Sequence, residues 1–428
     1  MNKADTYQSL WEMRRTRRNP VAFLQRMATR GDCVSFTVRE QRVVLVSDPA
    51  LIEDVLVVSH RKFLKAPGLT RATRLLGQGV LTAEGPLHTE RRRLLQPAFH
   101  RERLAAYAGS MVEHAATRRE GWPEGTPFDI FREMNALTLA IVGATLFTTD
   151  LSRFEVELRK LVAAVVDGLD PIVTLVAPMR RLAPARRRLL AIVETLILER
   201  LASSNVPGDL LDQLLAVRDT DASPDQLGDD ALTLLLAGHD TISNALTWTW
   251  VLLAAHPQVD EQLATELRDV LGDRLPTLAD VPRLVYTRAV LSESLRLRPP
   301  AWIIGRRAVE AHRLGTMDVA ADTLVLMSPY VVHRDARFFD SPDEFMPARW
   351  LDPSARPRPK LSYFPFGAGR RACIGESFAW LEGVLVLATL AQRWRFAATH
   401  EVEAEPRITL RPRGPVMMTA SRRVSASA

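Results

Sequence analysis

The sequence predicts a mainly α fold with a small β region and one long central helix, and three observations carry that reading. Helical apolar periodicity, broken by Pro and Gly, fills the chain from about Leu87 to Leu271. One stretch of it, Leu227 to Pro257, would give about thirty helical residues, roughly 45 Å at 1.5 Å per residue, enough to cross the whole molecule. Strand-like alternation is confined to short stretches near residues 33–46, 301–332 and the C-terminus.

In chain order, "CVSFTV" and "RVVLV" alternate apolar and polar residues about a polar turn, a β-hairpin signal. In "SDPALIEDVLVVS", Ser47 or Asp48 can cap a helix and Pro49 suits its first turn. Helical segments follow in "LHTERRRLLQPAFH", "FREMNALTLAIVGATLF", "RFEVELRKLVAAVVDGL" and "RRRLLAIVETLILERL", before the long one. A further helix ends in "VLSESLRLRPP", residues 301–332 turn strand-like, and a Pro-rich stretch leads to "LSYFPFGAGRRACIG" and a last apolar helix through Arg393. A short strand pair around Ile408 and Met417 closes the chain. Length alone suggests two or three domains, but helix packing spans every plausible boundary and no repeat is visible. One domain over residues 1–428 is therefore expected, with residues 1–18 a basic segment poorly ordered at its start.

With 47% apolar and 25% charged residues among 428, a large core can form without staples, which excludes disorder, a cystine scaffold and a fibre. The formal charge of +6 is modest, although Arg14, Arg15, Arg17 and Arg18, Arg91 to Arg93, and Arg186 to Arg188 form dense clusters. An acidic protein partner or solvated helix faces explain these as well as nucleic acid does. Residues Thr241 to Val259 carry no formal charge, yet Ser243, Asn244, three Thr, two Trp, His256 and Pro257 suit a buried helix better than a membrane span. The first thirty residues hold no signal-like apolar run, and the two cysteines, Cys33 and Cys373, form no framework. A reducing, cytoplasmic setting follows as the expectation.

Cys373 lies in "FGAGRRACIG", among Gly367, Gly369 and Gly375 and two residues after Arg371. Glycines admit backbone amides close to a sulfur, and a helix N-terminus just downstream adds partial positive charge, so the setting suits a thiolate. The same segment formally matches the dinucleotide fingerprint G-x-G-x-x-G/A. That motif needs a preceding strand and an acidic residue about twenty positions on, whereas Pro365 interrupts the strand and "LAQRWRF" supplies no acid.

Phe366, Gly369, Arg371, Cys373 and Gly375 fill the pattern F-x-x-G-x-R-x-C-x-G, and here the chain resembles the cytochrome P450 family of haem-thiolate monooxygenases. Four further matches extend the resemblance from about Asn19 to Arg411. Glu293 and Arg296 fit E-x-x-R, three apart on one helix face, with Arg349 in "PARW" as the implied third member of a buried triad. "AGHDT" places Ala237, Gly238, Asp240 and Thr241 within the long helix, where Gly and Asp are unfavourable unless something needs them. The resemblance gives the need: Gly238 makes room for dioxygen, while Asp240 and Thr241 guide protons to it. Ile242 stands where many relatives carry a second hydroxyl, and the next one is Ser243. "SPYVVHRDARFF" with "SPDEFMPARW" matches the family's run ahead of the Cys segment.

The resemblance implies haem b (iron protoporphyrin IX) ligated by Cys373 as the metal ligand. His88, Arg92, Arg306 and Arg371 would face its propionates, with Arg307 a substitute for Arg306, and Phe366, Gly367, Ile374, Ala237 and Gly238 would line the cofactor. Dioxygen is the implied co-substrate, and NAD(P)H acts indirectly through a separate ferredoxin or flavodoxin and its reductase, which Arg91, Arg93 and Arg370 would steer. An apolar pocket for a terpenoid, fatty acyl, polyketide or aromatic substrate is expected from Leu81, Leu234, Trp302, Ile303, Ile304, Val416 and Met417. The resemblance further implies a monomer without a membrane span, without nucleic acid and without a fused reductase. Epoxidation, ring coupling, desaturation or peroxide-driven oxidation are alternatives within the family; a nucleotide-dependent dehydrogenase and a basic adaptor are alternatives outside it.

Overall fold

The computed structural model describes residues 5–6, 19–38, 40–168, 183–203, 207–216, 224–354 and 357–423. Helices dominate, and the longest, Pro224–Ala255, runs 32 residues through the interior, close to the span that periodicity predicts. It packs against the helices Ile130–Leu146, Val285–Leu297 and Ala183–Ala202. Its middle section from Ile242 to Trp250 is buried without interruption, which explains why this helix lacks the polar face of a surface helix. Among the described residues no helix is long and apolar enough to cross a membrane.

The expected hairpin forms as β2 (Cys33–Val38) and β3 (Gln41–Val46), antiparallel with Cys33 opposite Val46. With β1 (Asp5–Thr6), β4 (Phe63–Lys65), β6 (Ile304–Ala308) and β9 (Leu324–Met327) they build a six-stranded sheet in the order β1-β2-β3-β9-β6-β4. Val43 and Leu45 point to one apolar cluster with Phe23 and Trp302, while Val44 and Val46 point to another with Ile52 and Phe63. The sheet is thus covered on both faces, as an alternating but wholly apolar strand requires. Asp48, not Ser47, caps the following helix, its Oδ1 accepting from Ala50 N–H (2.9 Å) and Leu51 N–H (3.0 Å).

The C-terminal strands differ from expectation. Ile408 lies in the turn between β11 (Ala404–Pro406) and β12 (Leu410–Pro412). Met417 instead opens β13 (Met417–Arg422), which pairs with β10 (Trp394–Ala398) and with β5 (Pro127–Asp129). Met417 sits opposite Asp129, a partner so distant in sequence that local pattern cannot reveal it. Apart from Asp5–Thr6, the N-terminal basic segment with Arg14, Arg15, Arg17 and Arg18 lies outside the described residues.

Candidate functional site

Cys373 sits at the end of a tight loop that glycine makes possible. Gly367 and Gly369 adopt φ of 71° and 68°, the left-handed region. A Cβ on Gly369 would stand 2.1 Å from the Leu56 carbonyl oxygen. Cys373 N–H donates to Phe366 O (2.9 Å), and the Glu376–Ala391 helix starts just beyond. The Gly375 N–H donates to the sulfur, as the glycine pattern suggests. Burial nevertheless pushes the thiol pKa up, against the pull of that amide and of Arg92. A bound metal ion would overcome that burial cost, because coordination deprotonates a thiol. Although protein surrounds it, Cys373 keeps an accessible face.

Around this loop cations converge. His88 and Arg92 lie on the Gly85–Leu95 helix, and Arg92 Nη1 donates to Ala372 O (2.7 Å). Arg306 comes from β6, and burial alone lowers its pKa to about 10; among the described residues it has no carboxylate partner. Arg307, next along the strand and so on the other face, pairs with Asp322 (3.0 Å) and does not replace it. Arg371 bonds Glu84. Sequence reasoning missed Lys65, at the end of β4: it is 5% exposed, and its Nζ donates to Ala83 O (2.6 Å). Burial, then Arg371 and Arg306, lowers its pKa to about 7. Burial, then Lys65, Arg92, Arg370 and Arg306, lowers His88 to about 4. Five half-buried or buried basic groups thus face one another with Glu84 as their carboxylate, an arrangement that calls for added negative charge.

On the central helix, Ala237 and Thr241, one turn apart, are exposed while His239 and Ile242 are buried, so one face of its middle turn borders open space. Thr241 Oγ1 donates to Ala237 O (2.8 Å). Asp240 accepts from Thr409 Oγ1 (3.2 Å), and burial raises its pKa while His239, Thr409 and Arg411 pull it down. Burial thus works against the charged form of this carboxyl, and its polar neighbours work for it. It also borders a surface cleft of about 320 Å³ shared with Arg132, Asn135, Glu405 and Arg411. Ser243 is fully buried with its hydroxyl on Asp240 O (2.9 Å), so it does not stand in for a hydroxyl at Ile242. Gly238 has a packing reason of its own: a Cβ there would meet Val142 Cγ2 at 3.2 Å.

The Glu293 cluster ties the loop region to the helical core. Glu293 and Arg296 are fully buried and bonded twice, Nε to Oε2 (2.9 Å) and Nη2 to Oε1 (2.8 Å). Arg349 Nε donates to Oε1 (2.9 Å) and Trp350 Nε1 to Oε2 (2.8 Å). The remaining guanidinium donors reach the carbonyls of His333, Pro342, Glu344, Asp340 and Ser341.

Comparison with known proteins agrees with this geometry. The cytochrome P450 family model matches residues 7–423. The chain is 38% identical to cyclooctatin synthase of Streptomyces melanosporofaciens, over 94% of this chain and 90% of that protein. It is 34% identical to cyclooctat-9-en-7-ol 5-monooxygenase of the same organism, over 88% and 85%. Pentalenene oxygenase of Streptomyces avermitilis is 31% identical, over 92% and 90%. The chain belongs to the cytochrome P450 family. It is a haem-thiolate monooxygenase, and when bound, haem supplies oxygen activation assisted by electron donation from the thiolate. The residues present fit that group: an accessible sulfur beside a helix face left open, and a cation cluster short of carboxylates where two propionates would be neutralised.

Within this P450 the expected pocket residues separate. Leu81 is 39% exposed, and Ile304 points toward the Cys loop, 3.6 Å from where a Cβ of Gly367 would lie. Leu234 is packed in the helical core. Ile303 packs on the sheet cluster, and Met417 is tied into β13. Trp302 and Val416 do not offer a ligand surface. Trp302 is 5% exposed beneath the sheet with its indole N–H on Arg407 O (2.8 Å), and Val416 is fully buried in the helical core. The C-terminal turn that does approach the central helix is 407–410, through Thr409. Ile408 on that turn is 39% exposed, an apolar residue that sequence reasoning assigned only to a strand. Arg91 is also corrected: at 1% exposed and 3.4 Å from Asp230, it is an interior ion pair and not a surface charge. Phe366 and Ile374 pack from the Cys loop onto the core.

Proposed function

We propose that this P450 oxidises an apolar terpenoid-class small molecule in secondary metabolism, as a cytoplasmic monomer of one domain. Two relatives are named for cyclooctat-9-en-7-ol and pentalenene, which supports that substrate class. The observation that carries the reading is the exposure of Ala237 and Thr241, one turn apart in the middle of the central helix, in a chain whose Cys373 is accessible and whose Cys loop lies beside a cluster of basic side chains.

In this reading Cys373 ligates haem b, and Lys65, His88, Arg92, Arg306 and Arg371 neutralise its propionates. Asp240 takes protons from the polar cleft and Thr241 orients them toward the reacting oxygen. The apolar surroundings orient the carbon to be attacked. Electrons derived from NAD(P)H arrive through a ferredoxin or flavodoxin docking near Arg93 and Arg370, which border an exposed cleft of about 440 Å³ with His88, Arg92 and His100. The absorption spectrum of the reduced, carbon-monoxide-bound protein tests the reading. A colourless preparation that takes up no haem, or a spectrum unchanged by Cys373→His, overturns it.

A further inference from the structure

The segment from Gly77 to Glu84 is held at both ends. At its start, successive carboxylates of the central helix receive its backbone: Gln78 N–H donates to Asp229 Oδ2 (2.9 Å) and Val80 N–H to Asp230 Oδ1 (2.9 Å). Both carboxylates are buried and are countered from two other helices, Asp229 by Arg186 (2.9 Å) and Asp230 by Arg91 (3.4 Å). Glycine permits the approach. A Cβ on Gly77, whose φ is 67°, would stand 1.8 Å from the Asp229 carboxylate, and one on Gly79 would stand 2.5 Å from Thr233 Oγ1. The Thr82 hydroxyl folds the segment on itself, donating to Gly77 O (2.6 Å). At the far end, Lys65 donates to Ala83 O (2.6 Å) and Arg371 pairs with Glu84, so the segment ends on the cation cluster.

A surface loop usually moves because few buried contacts resist it. Here displacement would strip two buried carboxylates of their amide donors beside two arginines, which is strongly unfavourable. Leu81 stands between the anchors as the exposed apolar residue.

We propose that Asp229 and Asp230 are positioning residues that fix Gly77–Glu84 as a rigid wall of the substrate space, with Leu81 at its crest, so that this side discriminates ligand bulk and does not open as a lid. The inference rests on the P450 reading above; absence of haem uptake would sink that reading, whereas the wall is tested only in protein that carries haem.

Amide hydrogen exchange across residues 78–83 of the haem-loaded protein gives the first readout, without and with 4-phenylimidazole. A wall exchanges slowly in both states; fast exchange that slows on binding means a lid and overturns the proposal. Absorption titrations with imidazole and 4-phenylimidazole give the second. In Asp229→Asn, Asp230→Asn and the double variant, exchange should rise about tenfold or more. The ratio of the two dissociation constants should shift at least about fivefold while imidazole itself binds as before, and Asp230→Glu should restore part of the ratio. Variants that loosen the segment yet bind both azoles unchanged overturn the role in specificity. If no variant carries haem, exchange in the unaltered protein still decides between wall and lid.

Discussion

Lys65 shows what a single residue can conceal. A lysine at the end of a short strand reads as an edge charge, and only the fold brings it onto Arg306, Arg371 and His88. Without cofactor its pKa is lowered from 10.5 to about 7, so the unfolded chain holds this proton more tightly. The penalty on the fold is full below about pH 7 and fades as pH rises toward 10.5. Cofactor-free protein should therefore gain stability in urea unfolding between pH 7 and 10, and Lys65→Met should remove that gain. If Lys65 holds a propionate in loaded protein, as proposed, the same substitution would delete a charge-assisted hydrogen bond of about 1.5–3 kcal/mol, and haem transfer to an acceptor protein should quicken by about ten- to a hundredfold. His88, Arg92, Arg306 and Arg371 were legible because motifs flag them; Lys65 has no motif. For Thr241, whose hydroxyl rests on Ala237 O, Thr241→Ala should divert reducing equivalents to hydrogen peroxide while substrate binding stays near that of the parent. Unchanged coupling, measured as peroxide per NAD(P)H consumed, would remove Thr241 from proton delivery.

At the scale of elements, the legible features were those written in local spacing. The central helix, the β2–β3 hairpin and the Glu293–Arg296 pair, three apart on one helix, all follow from neighbours in sequence. The third member of the triad does not: Arg349 meets Glu293 only because the chain between them folds back, so resemblance and not geometry pointed to it. The pairing of β13 with β5 and the turn at Thr409 were illegible for the same reason. The triad's energetics follow from its burial. Glu293→Ala leaves Arg296, fully buried, and Arg349, nearly so, without their carboxylate, which should cost about 3–5 kcal/mol. Chemical denaturation of the haem-loaded protein should show this loss, with a lower yield of folded protein. Arg349→Lys should not preserve stability, because Arg349 uses separate guanidinium nitrogens for Glu293, Asp340 O and Ser341 O.

Across the whole molecule, the structure redistributes the basic excess that composition reports. Arg186 and Arg188 pair with Asp229 and Glu157, Arg91 is interior, and Arg92 turns to the Cys loop. Sequence clusters of arginine therefore overstate the surface field, because adjacent residues on a helix point in different directions. Arg93, Arg370 and His100 stay exposed around one cleft, beside the loop that carries Cys373. In the proposed reading a patch so placed would steer an acidic electron donor toward the thiolate side, and steering is a rate effect that salt screens. Replacing both Arg93 and Arg370 with Glu should slow reduction by an acidic ferredoxin about ten- to a hundredfold at low ionic strength. The deficit should shrink as salt passes about 0.15 M, where the screening length falls to about 8 Å. Reduction by dithionite, a small reagent that needs no docking, should be unchanged in the same stopped-flow measurement. Equal slowing with both reductants would place the two arginines in the haem environment, and no slowing with ferredoxin would move the docking face elsewhere.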